Sequence, residues 1–503
     1  MTSLTFYGGI GEVGGNKILL EDKGTKVFLD FGTSFSKIKK FYKDPYSRPR
    51  GLLDRLVMGI LPDLEGVYNP DLLKAIGKKS HEEPLINGCV ITHSHLDHFG
   101  DMVFLDPKIP IYCSKETYSV IKAYEDVTKS SQEKQWTYYQ ESRKMDDWIP
   151  IGFYWIDELG KAHKTTKEKA THERVIIQFL IPPEEIEKNF IQKTKSEIDN
   201  LEVELFPVDH SSFDAHALII HTSDAKIAYT GDMRFHGFKT KESVEFVEKA
   251  RGADILITEG TKINEEMSFT EYDVEEKTKE LVKKAEGLVL IDFSSRNLEE
   301  FLIYKRIAEE TGREFITSQK NALFLLHREM RNLIKEKYSS LLSKILVFEE
   351  ENFSATRTKR SISKYKNIEM IKDEEIRKNP RNYIVNLNFY EFEKLVDFSP
   401  PKGSILIINN PEPFDEESTL DETRIENWCN YFGLQSYRIH SSGHMGYSDL
   451  VWMIKEIKPK YILPIHSSNE NALLMKERFG ENVKILEEKR KFEIPRTNLL
   501  SYF

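Results

Sequence analysis

Short apolar runs recur along the first part of the chain, separated by turn residues: LTFYG (4–8), NKILLED (16–22), KVFLDFG (26–32) and GCVITH (88–93). Runs of this length between Gly, Asp and Asn predict short strands. A polar, charge-rich interval at about 130–198 breaks the pattern and reads as an insertion. Strands are predicted again at LEVELFPVDH, HALIIHT, AKIAYTGD and ADILITEG. From about residue 265 the texture changes. YDVEEKTKELVKKAEG and LEEFLIYKRIAEETG read as helices alternating with the strands LVLID, KILVF and YIVNL, which predicts a separate parallel α/β unit. That unit closes around PPKGSILIINN and a helix near TRIENWCNYFG. The tail, YRIHSSGHMGYSDLVWMIKEIKPKYILPIHSSN, again sets histidine-bearing loops beside buried strands, so it belongs chemically with the first segment. The expected organisation is one domain split in sequence (1–262, with the insertion near 130–198, and 435–503) around an inserted domain at 263–434.

Gly9-Ile10-Gly11-Glu12-Val13-Gly14 has the letters of a dinucleotide fingerprint. That fingerprint needs a helix directly after the glycines. Here the apolar NKILL follows and then the hairpin turn Glu21-Asp22-Lys23-Gly24, so the reading is a turn between strands and no nucleotide cofactor.

Composition narrows the partners. The 503 residues, 39% hydrophobic and 31% charged, suit a folded protein of two or three domains. A net charge of −10 excludes a uniformly basic surface, so nucleic acid would have to be held by a local basic groove. Cys89, Cys113 and Cys429 have no C-x-x-C spacing and read as reduced thiols. The N-terminus lacks the pattern of a secretory signal, and no apolar run of about 18 residues predicts a membrane span. The expected setting is cytoplasmic.

The strongest chemistry lies in THSHLDHFGD (92–101), which places His93, His95, Asp97 and His98 within six positions. If the preceding strand's extension persists, His93 and His95 point the same way and meet one ion. Asp97 and His98 fall where a helix should begin, and can turn towards a second ion. Carboxylate and imidazole suit zinc, with manganese as the alternative. Further ligands are expected at the ends of apolar strands, and His210 in PVDHSS, Asp232 in YTGD and His466 in ILPIHSS supply the number missing. Asp232 is the natural bridge, because its two oxygens can serve one ion each.

HSHLDH resembles the H-x-H-x-D-H signature of the metallo-β-lactamase superfamily, with FLDFG, VDHS and TGD as its flanking motifs. The resemblance implies an α/β fold, an αββα sandwich. It assigns His93, His95, His210 and Asp232 to one metal and Asp97, His98, Asp232 and His466 to the other, two zinc ions in all. Asp30 in FLDFG would orient ligands through hydrogen bonds. ILITEGT, IHSSGHMGYSDL and LPIHSSN resemble the motifs of the β-CASP nucleic-acid-processing branch, which carries an inserted α/β β-CASP domain. They place His444 as the catalytic acid, Glu259 as its partner, Asp97 among the catalytic residues and His440 beside His444.

The opening FYGGIGEVGGNKILLE, the phrase IDFSSRNLEEF and the motif order are most similar to the ribonuclease J family. Two departures stand out: Ser467-Ser468-Asn469 replace the usual Gly-Glu after the third-motif histidine, and that family's carboxy-terminal domain is not expected in a chain stopping at Phe503. The resemblance implies a ribonuclease hydrolysing single-stranded RNA by a two-metal hydroxide mechanism, trimming 5′-to-3′ with endonuclease activity also known in the family, and a homodimer as a common assembly. The alternatives are a DNA nuclease of the same superfamily or a catalytically silent RNA- or partner-binding subunit. Ser294, Ser295 and Arg296, with Ser441 and Ser442, would receive a 5′-terminal phosphate; ordinary helix capping is the rival for the first group. Two basic runs, ATRTKRSISKYK (355–366) and Lys37–Lys43 with its aromatics, suit nucleotides or a solvated face.

Overall fold

The computed structural model describes residues 1–43, 46–128, 136–139, 154–156, 162–164, 172–173, 177–179, 197–266, 269–294, 296–349, 362, 365–411 and 416–494. The expected insertion therefore falls largely outside the described residues, as does most of ATRTKRSISKYK.

Three large sheets organise the described chain. The first contains Ser3–Gly8, Lys17–Asp22 and Thr25–Phe31 in antiparallel order, then Gly88–Val90 and Ile111–Cys113 in parallel. The glycine-rich turn runs straight into the antiparallel strand Lys17–Asp22, and no helix opens directly after the glycines. The second contains Leu201–Pro207, His216–His221, Lys226–Tyr229, Ile255–Glu259 and Tyr461–Ile465. Its last two strands pair in parallel, Ile257 opposite Leu463, which returns the tail of the chain to the sheet.

Alternation along the strands builds four layers. Leu4, Phe6, Ile18, Leu20, Val27 and Leu29 face Leu218, Ile220, Ile227, Ile255 and Ile257 in a core between the two sheets. Their neighbours Leu19, Phe28 and Phe31 turn outwards onto Leu52, Leu73 and Ile121 of flanking helices. On the far side Ile219, Ala228 and Leu256 pack on Phe246, Val247, Leu450 and Met453, from the helices Thr240–Ala250 and Tyr447–Ile457. The result is helix, sheet, sheet, helix.

The third sheet, wholly parallel, takes strands from Val289–Asp292 to Gln435–Arg438. Both its faces are covered, Val289 and Ile291 by Phe301, Tyr304 and Ile307, and Leu290 and Leu406 by Phe392, Leu395 and Ile425. Near-continuous apolar runs such as LVLID are what a sheet buried on both sides requires.

Arg234 joins the layers. It is 1% exposed, and its Nε donates to Asp209 Oδ1 at 2.9 Å. Its Nη1 lies 2.7 Å from Glu271 Oε1, at the start of the helix Glu271–Lys284, and donates to Ser442 O at 3.0 Å. Three segments that converge on the histidine cluster therefore share one guanidinium. Replacing it with methionine strands two buried carboxylates, a loss of about 3–5 kcal/mol. Arg234→Met should lower the urea unfolding midpoint accordingly, and Arg234→Lys should recover only part, because an ammonium lacks the planar fork. An unchanged midpoint in Arg234→Met would remove this residue from the joint.

Candidate metal centre

The strand Gly88–Val90 leads into an extended stretch that ends at His95, whose φ of −82° and ψ of 140° precede the short helix Leu96–Phe99. That geometry brings His93 and His95 to one side and lets the helix turn Asp97 and His98 after them. His210, Asp232 and His466 arrive from the ends of second-sheet strands.

All seven converge. The carboxylate oxygen Oδ2 of Asp232 lies 3.1 Å from His98 Nε2, 3.4 Å from His466 Nε2, 3.8 Å from His93 Nε2 and 3.9 Å from His210 Nε2. His466 Nε2 is also 3.2 Å from Asp97 Oδ2, and His210 Nε2 is 3.2 Å from His95 Nδ1. Two groups of donor atoms fall within 4.8 Å of one another: His93, His95, His210 and Asp232, and Asp97, His98 and His466. Asp232 also groups with His444 and His466.

The residues fit metal ions. His93 Nε2 and Asp232 Oδ1 are buried without a hydrogen-bond partner, a state that costs about 1–3 kcal/mol per group unless something else binds there. Protonation suits ligation as well. Burial, then the neighbouring His98 and His95, holds the His93 imidazole well below its usual pKa, so it stays neutral. Burial and His95 do the same to His210, while burial and the Arg296 guanidinium lower His95 to about 4. Burial opposes the charge of Asp232 and Asp97, but His466 and His98 beside them outweigh it and keep both carboxylates ionised. His98 goes the other way: burial lowers it, and Asp232 and Asp30 raise it well above the usual value.

Asp30 holds this ring from behind. Its Oδ2 lies 2.8 Å from His98 Nδ1 and its Oδ1 accepts from Thr92 N at 2.8 Å. Tyr229 OH donates to Asp30 Oδ2 at 2.7 Å, and Asn16 Nδ2 donates to Tyr229 OH at 3.1 Å. The glycine-rich turn presses on the same loop. A Cβ on Gly14, at φ +86°, would stand 2.6 Å from Asp97 Oδ2, so no larger residue fits that approach.

His444 stands at the edge of the cluster, its ring 5.3 Å from that of His466 and 5.4 Å from that of His210. Its Nδ1 lies 2.7 Å from Oε2 of the buried Glu259. Burial works against its positive charge, but Glu259 and then Asp232 and Asp97 raise its pKa to about 9.

Other expected residues are placed differently. His440 does not reach the ligands; its Nδ1 is 3.2 Å from Asn409 Oδ1. Ser441 is buried and donates to Phe269 O at 3.1 Å, and Ser442 Oγ accepts from His444 N at 3.1 Å. Ser294 is exposed, Ser295 lies outside the described residues, and the cap of the helix Leu298–Glu310 is Asn297. Arg296 does come to the centre: its Nη1 donates to Ser94 O at 3.4 Å and its guanidinium lies 5.1 Å from the Tyr124 ring. Sequence reasoning missed Tyr229, Asn16, Arg234 and Asp214, whose carboxylate accepts from Ser94 N at 2.9 Å. The only signal for Tyr229 and Arg234 was their place on either side of the TGD motif.

Comparison with known proteins agrees with this geometry. Residues 434–486 match the family model described as the Zn-dependent metallo-hydrolase RNA specificity domain. The four layers and the ligand set define a metallo-β-lactamase-type metallo-hydrolase. Within that class the chain is ribonuclease J-like. It is 21% identical over 499 residues to Ribonuclease J of Pyrococcus abyssi, covering 93% of this chain and 90% of that one. It is 23% identical to Ribonuclease J of Sinorhizobium meliloti, across 80% of this chain and 61% of the relative. A crystal structure of a protein of unknown function from Enterococcus faecalis V583 shares the fold, with a TM-score of 0.67, 22% identity and coverage of 98% and 99%.

Asp30 touches His98 and not the ion position, so its removal tests the arrangement without deleting a ligand. Asp30→Ala should weaken metal binding about 10–100-fold, read by competition with a chromogenic chelator. Unaltered affinity would mean that His98 needs no support from behind.

Proposed function

We propose that this chain is a metal-dependent ribonuclease that hydrolyses phosphodiester bonds of single-stranded RNA with two zinc ions, trimming from the 5′ end. Residues 1–262 and the tail after the strand Gln435–Arg438 form the metal-binding domain in this reading, and the inserted unit, which keeps that strand in its own sheet instead of ending at 434, forms a lid. The observation that carries it is the pairing of His444 with Glu259 beside the ligand cluster, at 2.7 Å. A phosphodiester needs its departing 3′ oxygen protonated, and a histidine held in its charged form by a buried carboxylate is suited to that step. The match of 434–486 to an RNA specificity domain and the names of the relatives support the same substrate.

His93, His95, His210 and Asp232 would hold one ion, and Asp97, His98, Asp232 and His466 the other. Bound there, such ions supply Lewis-acid stabilisation of the phosphate and a nucleophile at neutral pH. The chain's own residues do the remaining work. Asp30 and Tyr229 fix the His98 ring, Glu259 orients His444 and stabilises its proton, and His444 delivers that proton to the leaving oxygen. Arg296, at the mouth of the cluster, contacts the phosphate backbone.

Time-resolved cleavage of 5′-monophosphate and 5′-triphosphate RNA, beside matched DNA and an Asp97→Ala, His98→Ala control, tests the reading. Mononucleotides from the earliest time point with the monophosphate alone are expected. Discrete internal fragments would overturn the polarity, and a metal-loaded protein that cleaves no RNA would sink the ribonuclease. The acid has its own signature. His444→Ala should lower kcat on RNA by about 10²–10⁴, while hydrolysis of a nitrophenyl phosphodiester, whose leaving group needs no proton, falls far less. Equal losses on both substrates would rule out the assigned role.

A further inference from the structure

Arg296 is held in a way that differs from the other arginines of this acidic chain. Its loop belongs to the inserted unit, between the strand Val289–Asp292 and the helix Leu298–Glu310. Its Nη1 nevertheless crosses to Ser94 O, between His93 and His95, and its charge is second only to burial in lowering His95. Among the described residues no carboxylate forms an ion pair with it, whereas Arg234, Arg306 and Arg438 each have one. What it meets instead is a ring. Its Cζ lies 5.1 Å from the centroid of Tyr124.

Tyr124 is itself fixed in place. It lies near the end of the helix Lys115–Val127 and is half-buried. The buried Trp136 ring stacks with it, centroids 5.9 Å apart and planes at 23°. Trp136 Nε1 donates to Gly100 O at 2.9 Å, and its ring meets that of Phe99 at 5.0 Å and 68°. The N–H of the next residue, Thr137, donates to the buried Glu125 carboxylate at 3.2 Å. Phe99 and Gly100 close the ligand helix Leu96–Phe99. The series Phe99, Trp136, Tyr124, Arg296 therefore leaves one end of the ligand loop and returns to the other at Ser94. On the same helix Asp126 Oδ2 lies 3.0 Å from His327 Nε2, a second contact with the inserted unit.

An aromatic face does for a guanidinium what a carboxylate cannot. It attracts the cation through the ring quadrupole without cancelling its charge, and the N–H donors in the guanidinium plane stay free for a planar anion. The bond to Ser94 O, at 3.4 Å, is weaker than the charge-assisted pair that a phosphate would offer. An arginine already ordered also loses less rotamer freedom on binding. We infer that Tyr124, backed by Trp136, is the positioning residue for Arg296, setting its guanidinium to receive a phosphate of the bound RNA at the mouth of the metal centre. The inference rests on the ribonuclease reading and names what aims its phosphate contact.

A double-mutant cycle tests it, read as KM and kcat for a 5′-monophosphate oligoribonucleotide, with urea midpoints to show that each variant folds. Tyr124→Leu should raise KM about fivefold with kcat unchanged, the mark of lost binding. Tyr124→Phe keeps the ring and should keep the wild-type KM. Arg296→Ala should raise KM at least as much as Tyr124→Leu. Adding Tyr124→Leu to it should raise KM no further, because the ring acts only through the guanidinium. Tyr124→Met, flexible and similar in size, runs the same cycle if the leucine variant does not fold. If wild type cleaves RNA and the Tyr124 variants leave KM alone, or raise it equally with and without Arg296, the positioning role is wrong and the nuclease stands. A loss confined to kcat overturns it in the same way. If wild type cleaves no RNA, the nuclease reading fails and takes this inference with it.

Discussion

The structure depends on one buried negative charge. Asp232 is 2% exposed and sits between two sheets, where an unpaired carboxylate would cost several kcal/mol. Four imidazole nitrogens lie within 3.9 Å of its Oδ2, from His93, His98, His210 and His466. They come from three segments, the His93–His98 loop after the first sheet and the ends of two second-sheet strands, so the charge is satisfied only when both sheets are in register. The apolar core between the sheets sets that register, because Leu29 and Ile257 belong to the strands Thr25–Phe31 and Ile255–Glu259, which carry Asp30 and Glu259. Packing and chemistry are thus the same constraint seen from two sides. Protein atoms alone do not complete it: Oδ1 of Asp232 and Nε2 of His93 stay without hydrogen bonds. A cavity with two ionised carboxylates, three neutral imidazoles and orphaned donor atoms is a receptacle for cations.

How much of this was legible in the sequence depended on distance along the chain. His93, His95, Asp97 and His98 could be read directly because one loop presents them all. His210, Asp232 and His466 were legible only as polar residues closing apolar runs, a pattern that by itself usually caps a turn. The strands followed from periodicity and the third sheet from alternating helices and apolar runs, whereas the layering of the first two sheets came only with the resemblance to the metallo-β-lactamase superfamily. Tyr229, Asn16 and Arg234 were not legible. Tyr229 acts through Asp30, 199 positions away, and Arg234 through Ser442, 208 away, and no local pattern encodes such a contact. Ser441 shows the opposite situation. The resemblance implied a phosphate contact there, and the structure places its hydroxyl against Phe269 and the Arg234 joint.

The joint and His444 belong together mechanically. Arg234 grips Asp209, one residue before His210, and Ser442, two before His444. It also reaches Glu271, where the chain leaves the second sheet for the third. A shift of the inserted unit would pull on the same guanidinium that sets a ligand loop and the His444 loop. The inserted unit and the loop that carries His444 are therefore joined through one side chain. One fully buried side chain carries the coupling, which is why it lies where three loops meet and not in the cleft.

An acidic chain that acts on a polyanion faces an electrostatic contradiction, and the site resolves it by range. At physiological salt, charges separated by more than about 8 Å are largely screened, so the net charge of −10 matters little once a strand has arrived. What matters is the set of charges within a few ångströms of the path. Asp97 and Asp232 are negative there, but they are enclosed by imidazoles in a donor set suited to cations. Around them the chain places the Arg296 guanidinium, which donates to Ser94 O, and His444, which is paired with Glu259. Acidic residues such as Glu12 and Asp54 are already spent on their own lysine and arginine neighbours. The local field at the mouth of the centre can therefore oppose the sign of the whole molecule, and only the local field acts on the scissile phosphate.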